Sequence, residues 1–349
     1  VLTSSLAGVA GLGLLAGRSS EAAVAATAAG RPLAVTHDPV VHAVRRLSFG
    51  ATPALVAHVR KIGVSAWLDE QLNGQPDVSG TINALGPGSL PVPTPVAMMI
   101  DSYAGRDGVR DLQLATFARA AWGDKQVYEV LVELFSNHLS INVAIVGNLK
   151  VADDRDVVRA HALGSFSDML KASAKSPAML LYLNNNNSYG STPNENYARE
   201  LLELHTVGVH GGYVQRDVHN AALALTGLTF DAATGLYGYN AAAHYVGPVR
   251  VMGWSHANSD ASQGESVAMS LVTYLASHPS TAKRLATKLV RRFVSDNPPA
   301  RLVASAAKVY LAHGTQVLPV LRHVLASSEF AHSAGQKTQR PYDWAAAAV

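Results

Sequence analysis

The stretch 193–208, Pro-Asn-Glu-Asn-Tyr-Ala-Arg-Glu-Leu-Leu-Glu-Leu-His-Thr-Val-Gly, constrains the fold more than any other part of the chain. It reads as a helix. On a 3.6-residue period Glu195, Arg199 and Glu203 follow one another at i, i+4 and i+8, and Asn196, Glu200 and Glu203 run beside them. Tyr197, Leu201 and Leu204 make one apolar face; Ala198, Leu202 and His205 make another. A helix apolar on two sides is expected to be buried, and charge in a buried helix has to be paired or neutralised. The surrounding architecture must therefore supply partners for three carboxylates and an arginine.

The rest of the chain offers mostly helices to do so. Its aromatic content is only 7% and its alanine content high, which favours helix over sheet, and no β-α-β alternation is visible. Helix starts are marked by Thr52-Pro53, Ser65, Ser165 with Asp168, Ser176-Pro177, Asp217 and His278-Pro279. In the segment 127–138 Val127, Val130, Leu131, Leu134 and His138 share one face, so His138 reads as a hydrogen-bonded core residue with Asn137 beside it. Asp153-Asp154-Arg155-Asp156 reads as a polar helix start. Residues 73–96, rich in Gly, Pro and Ser, form a long connection, and Asn184-Asn185-Asn186-Asn187 a turn. Between 228 and 260 the helical period fails, and Tyr237, Tyr239, His244, Tyr245, Trp254 and His256 lie among glycines. An irregular segment or a short hairpin is expected there, with His244 and Trp254 as candidate binding residues. The expectation is a mainly α fold, one multi-helix domain over 37–349.

The front of the chain differs. Residues 1–15 are small and apolar, Gly17-Arg18-Ser19-Ser20 breaks the run, and 22–29 is nearly all small residues. This pattern resembles a signal peptide, with Ala23-Val24-Ala25 and Ala26-Thr27-Ala28 as cleavage candidates and its start truncated; the expected location is extracellular or the cell envelope. No later apolar run approaches the ~20 residues that span a bilayer. Cysteine is absent, so any metal would have to be held by histidine and carboxylate, and the 14 histidines show no tight ligand spacing. The net charge of +3 is scattered, with no basic tract interleaved with aromatics, and gives no nucleic-acid footprint.

Several elements in order carry a resemblance: Arg45-Arg46-Leu47-Ser48-Phe49-Gly50-Ala51-Thr52-Pro53, Asn137-His138, His161-Ala162-Leu163-Gly164, Ser176-Pro177-Ala178-Met179-Leu180, and the whole of 193–208. Leu225-Thr226-Gly227, His278-Pro279 and Lys337 with Arg340-Pro341 follow. From about residue 42 to 342 the chain resembles the bacterial proteins grouped as domain of unknown function 1800. The resemblance implies export and a second, co-encoded exported protein as partner, and it implies no particular chemistry. It adds Lys337 and Arg340 to the candidate binding residues.

Two functional readings stand side by side. In the first, Glu200 and Glu203, one turn apart, form an acid/base pair or a metal site of an exported hydrolase. Arg199 fixes the geometry, and Asn137, His138 or His205 arrives nearby; Glu195 and Asn196 belong to the binding surface. In the second, Glu195, Arg199 and Glu203 are a structural ion-pair network in a non-catalytic scaffold or binding protein. Breaking it would then cost ~3–5 kcal/mol if it is buried. The signatures Gly-x-Ser-x-Gly, P-loop, His-Glu-x-x-His and the dinucleotide-binding glycines are absent.

Overall fold

Prolines and short polar side chains decide where the first helices begin. Asp38 accepts from the Val40 N–H at 2.8 Å and caps α1 (Pro39–Leu47), with Pro39 at its first position. Thr52 caps α2 (Pro53–Ile62) as its Thr-Pro pair predicts. Ser65 does not cap α3 (Val64–Leu72). Gly63, at φ 87°, makes that turn without a side chain, so Ser65 falls inside the helix. The computed structural model describes residues 38–73 and 108–349. The signal-peptide-like segment and, from residue 74, the long connection lie outside the described residues.

The second group comprises α4 (Gly108–Trp122), α5 (Gln126–His138), α6 (Val143–Val146) and α7 (Leu149–Asp153). The last runs unbroken into a π-helical segment, Asp154–Arg159. Asp153-Asp154-Arg155-Asp156 is therefore no helix start: it lies mid-helix, and Asp153 and Asp154 are buried. After α8 (Phe166–Ala174) and α9 (Pro177–Tyr182) comes the central helix. It is regular as α10 (Glu195–Glu200) and then widens into a second π segment, Leu201–His205.

Next, α11 (Gln215–Leu225) leads into the irregular region, where two antiparallel hairpins replace the single one expected. The first pairs β1 (Leu228–Phe230) with β2 (Tyr237–Tyr239); the second pairs β3 (Val249–Val251) with β4 (Trp254–His256). Asp217 is not the cap of α11 but its third residue. One carboxylate oxygen accepts from Val214 N–H at the helix start and the other from Met252 N–H in the second hairpin's turn, tying the two together. Then follow α12 (Gly264–Ala276), α13 (Pro279–Phe293), α14 (Ala300–Ala312), α15 (Val317–Leu325), α16 (Ser328–Ala331) and α17 (Pro341–Ala347).

The described residues from 38 onward form a mainly α domain around one continuous apolar core. Phe135 of α5 stacks on Phe166 of α8 with ring centroids 6.2 Å apart, and Tyr197 of α10 is fully buried nearby in the same cluster. The two ends of this domain meet: His42 Nε2 donates to the Phe330 carbonyl at 2.9 Å, and Arg46 donates to the Ser333 carbonyl at 2.6 Å. Among the described residues no helix is long and apolar enough to cross a membrane. Truncating Phe135 to alanine should leave a cavity in the packed interior and lower unfolding stability by about 3–5 kcal/mol in urea titrations followed by circular dichroism.

Candidate functional site

The charged face of the central helix is half open. Arg199 lies 3.2 Å from Glu195 and 4.0 Å from Glu203, in the predicted i, i+4, i+8 line, but its side chain is 39% exposed and theirs 29% and 27%. Glu195 also accepts from Gln215 at 2.6 Å and contacts the ring of His219 at 3.2 Å, while Glu203 accepts the Tyr213 hydroxyl proton. The expectation of a fully enclosed network is thus corrected: partners are present, yet water screens them, so each exposed pair is worth no more than ~1 kcal/mol. Leu204 departs from the predicted apolar face as well and is 45% exposed, because the π segment adds a residue to the turn and rotates it outward. Asn196 is exposed. Glu200 differs from its neighbours: its Oε2 is buried with no hydrogen-bond partner, and burial, followed by the charge of Glu203, raises its pKa.

His205 points away from those glutamates into the core, where it is fully enclosed. Burial first, then the cations Lys288 and Arg284, push its pKa down to about 4. His138 is equally enclosed, and the same burial holds it well below the ordinary value. Its Nε2–H donates to the His205 carbonyl at 2.9 Å. This bond belongs to a set. A π segment that ends a helix leaves carbonyls without helical partners, and here four of them find one outside the helix. Thr206 Oγ1 donates to the Leu201 carbonyl, Gly208 N–H to Leu202, Arg284 Nη2 to Leu204, and His138 to His205. Gly208 closes the turn at φ 89°, a backbone conformation that side-chain-bearing residues rarely adopt and that favours glycine here. His205 of the central motif and His138 of α5 are core residues that together close the end of the central helix.

The remaining sequence candidates separate. His244 is buried between the Thr226 carbonyl and the Asn258 side chain. Trp254 donates to Ser270 from its indole nitrogen and stacks on His256. Lys337 pairs with Asp296, whose carboxyl it holds down at about 2. Asn137 and Arg340, by contrast, come together, both donating to Glu133 of α5.

They do so at a cavity of about 500 Å³ bordered by α4, α5, α7 and α17. Its walls mix apolar Val109, Leu112, Val132, Ile141 and Val143 with Gln113, Thr116, Ser136, Asn137 and Ser140, with the Tyr342 ring alongside and three ionised groups, Glu133, Lys150 and Asp154. Each ionised group is held by a partner of opposite sign. Arg340 Nη1 bridges both oxygens of Glu133 at 2.7 and 2.8 Å and also binds Asp343, which pairs with Arg292. Arg159 donates to Asp154 at 2.8 Å and grips Glu129 with two nitrogens at 2.9 and 3.0 Å; burial disfavours its charge, but the two carboxylates more than offset this and raise its pKa. Lys150 donates to Asp153 at 2.6 Å, and Asp153 takes a second bond from Ser176, whose hydroxyl is thereby diverted from capping α9. With buried Arg119 beside Arg159, five carboxylates face five cations. A smaller void of about 10 Å³, room for one water, shares Thr116, Val132, Glu133 and Tyr342 with the cavity.

Sequence reasoning passed over Glu129, Glu133, Lys150, Asp154 and Arg159. The signal existed in α5, where Glu129, Glu133 and Asn137 repeat the i, i+4, i+8 line of the central helix. None of Glu200, Glu203 or His205 lines the cavity. Among the described residues no three His, Asp or Glu side chains stand together in a way that would hold a metal ion.

Fold and site define a mainly α-helical protein with a ligand-sized cavity walled by balanced ion pairs among its described residues. The chain belongs to the DUF1800 family, whose model, described as a protein of unknown function, matches residues 42–349. No curated protein and no solved structure matches it.

The two ion-pair systems should respond differently to mutation. Arg159→Met strands two buried carboxylates and should cost about 3–5 kcal/mol, whereas Arg199→Met should cost less than ~1 kcal/mol, both measurable by denaturant unfolding. Acid should act through the core histidines. The folded pKa of His205, about 4, lies below its ordinary 6.5, so its contribution is complete above pH 6.5. As pH falls from 6.5 toward 4, the unfolded chain takes up the proton first and stability declines, by up to about 1.4 kcal/mol per unit for this histidine. A His205→Gln variant that still folds should show a shallower decline of Tm across that window.

Proposed function

We propose that this chain is an exported protein that binds a small molecule in the cavity between α4, α5, α7 and α17, acting beside the co-encoded exported protein such chains neighbour. The observation that carries the reading is the cavity itself. Its volume lies within the roughly 300–1,000 Å³ of small-ligand sites, and its mix of apolar wall and few fixed polar groups is their usual chemistry. The ion pairs hold those polar groups in place before any ligand arrives, which lowers the ordering cost of binding. Export is supported by the apolar, alanine-rich 1–36 segment.

One observation favours hydrolysis as a second reading: Glu200, with its unpartnered buried oxygen and raised pKa, lies near Glu203, whose charge contributes to that rise. Two carboxyls in different environments are the arrangement that acid/base catalysis uses. Against it, both histidines that would assist are buried and depressed, and neither glutamate borders the cavity.

Ser140 is exposed on the cavity lining, so Ser140→Trp should fill the space without disturbing the core. In a thermal-shift screen of small metabolite-like compounds, the unmodified protein should gain Tm with one or more of them, and Ser140→Trp should lose every such gain while keeping its own Tm. Hits that persist undiminished in Ser140→Trp would place binding elsewhere. If Glu200 is instead a catalytic acid, Glu200→Gln should abolish turnover of p-nitrophenyl esters and glycosides by a folded protein; an absence of turnover in the unmodified protein removes that reading.

A further inference from the structure

We propose that the cavity takes a neutral polyhydroxyl ligand, a mono- or disaccharide, held through adjacent hydroxyls by Lys150 and Asp154. This rests on the cavity being the binding site. Three features of the wall lead there.

The first is charge. Every carboxylate in and behind the wall is matched by a cation, so a charged ligand would enter a site with no counter-charge to spare. An anion would have to share Lys150 with Asp153 while approaching Glu133 and Asp154; a cation would meet the Lys150 ammonium and find Glu133 and Asp154 already paired with Arg340 and Arg159. An extra ion left unpaired in such surroundings has to give up its hydration without compensation, whereas a neutral ligand avoids that cost.

The second is unused hydrogen-bonding capacity. The Lys150 ammonium has three donors and uses one, on Asp153. Asp154 accepts one bond, from Arg159 to Oδ2, so Oδ1 is free of protein donors. Both residues are more than nine-tenths buried, both line the cavity, and they stand four residues apart on one continuous helix, a spacing that sets side chains on a common face. A fixed donor beside a fixed acceptor suits neighbouring hydroxyls, each of which donates and accepts.

The third is the remainder of the lining. Gln113, Thr116, Ser136, Asn137 and Ser140 are all neutral polar groups, and the valine, leucine and isoleucine side chains offer an apolar surface for the C–H face of a sugar ring. The π segment begins at Asp154 itself, and such segments recur at functional sites.

The test is calorimetric titration of the full chain at pH 7 with glucose, N-acetylglucosamine, maltose and cellobiose, set against glucuronate and glucosamine as charged counterparts. At least one neutral sugar should bind, its charged counterpart at least ten-fold more weakly, and Lys150→Met should weaken the neutral sugar at least ten-fold. Because Lys150→Met strands Asp153 and risks misfolding, Ser140→Trp on the exposed lining provides the second variant and should abolish the same binding. If the charged sugars bind equally well or better, and Ser140→Trp removes them, the cavity survives as a binding site and the neutral-ligand proposal falls. If neither class binds but apolar compounds do, and Ser140→Trp removes these, the proposal falls in the same way. Binding of no compound by the folded protein overturns both the proposal and the reading beneath it.

Discussion

The two-pronged grip of Arg159 on Glu129, with its third nitrogen on Asp154, is the interaction on which the site depends. It joins α5 to the π segment that continues α7, and those two elements bring Glu133, Ser136, Asn137 and Asp154 to the cavity's polar wall. A buried guanidinium facing two carboxylates is costly to desolvate and becomes favourable only when its donors are matched in a fixed geometry. Here the geometry comes from the widened helix, since Asp154 and Arg159 are five residues apart, the spacing of a π turn rather than an α turn.

The second π segment solves a different problem with the same device. Widening α10 at Leu201 frees carbonyls that an α-helix would have satisfied internally, and donors from α5, α13 and the following turn take them up. The polar residues of the central motif thereby divide into two groups. His205, Thr206 and Gly208 build the terminus, while Glu195, Arg199 and Glu203 lie on a surface water can reach. Glu200 belongs to neither group, and its unpartnered oxygen keeps it chemically distinct.

Much of the fold was legible because it is local. Thr52-Pro53 and His278-Pro279 start helices where they should, and His138 sits in the core as its apolar neighbours imply. What escaped reading depends on partners far away in sequence or on a change of helical period. Asp153-Asp154-Arg155-Asp156 looks like a solvated helix start because Lys150 and Arg159 are near in sequence but Ser176 and Glu129, which lock Asp153 and Arg159 into a buried cluster, are not. Leu204 falls on the wrong face when a 3.6-residue period is carried through a π turn. Of the candidate site, Asn137 and Arg340 were named, but Glu133, which unites them, was not.

Arg340 reaches Glu133 across 207 positions of chain, and His42 reaches Phe330 across 288. Each of these contacts closes a loop whose entropic cost grows only with the logarithm of its length. The electroneutrality of the pocket is therefore a property of the closed chain: Glu133 on α5 has its guanidinium only where the residues leading into α17 dock against it.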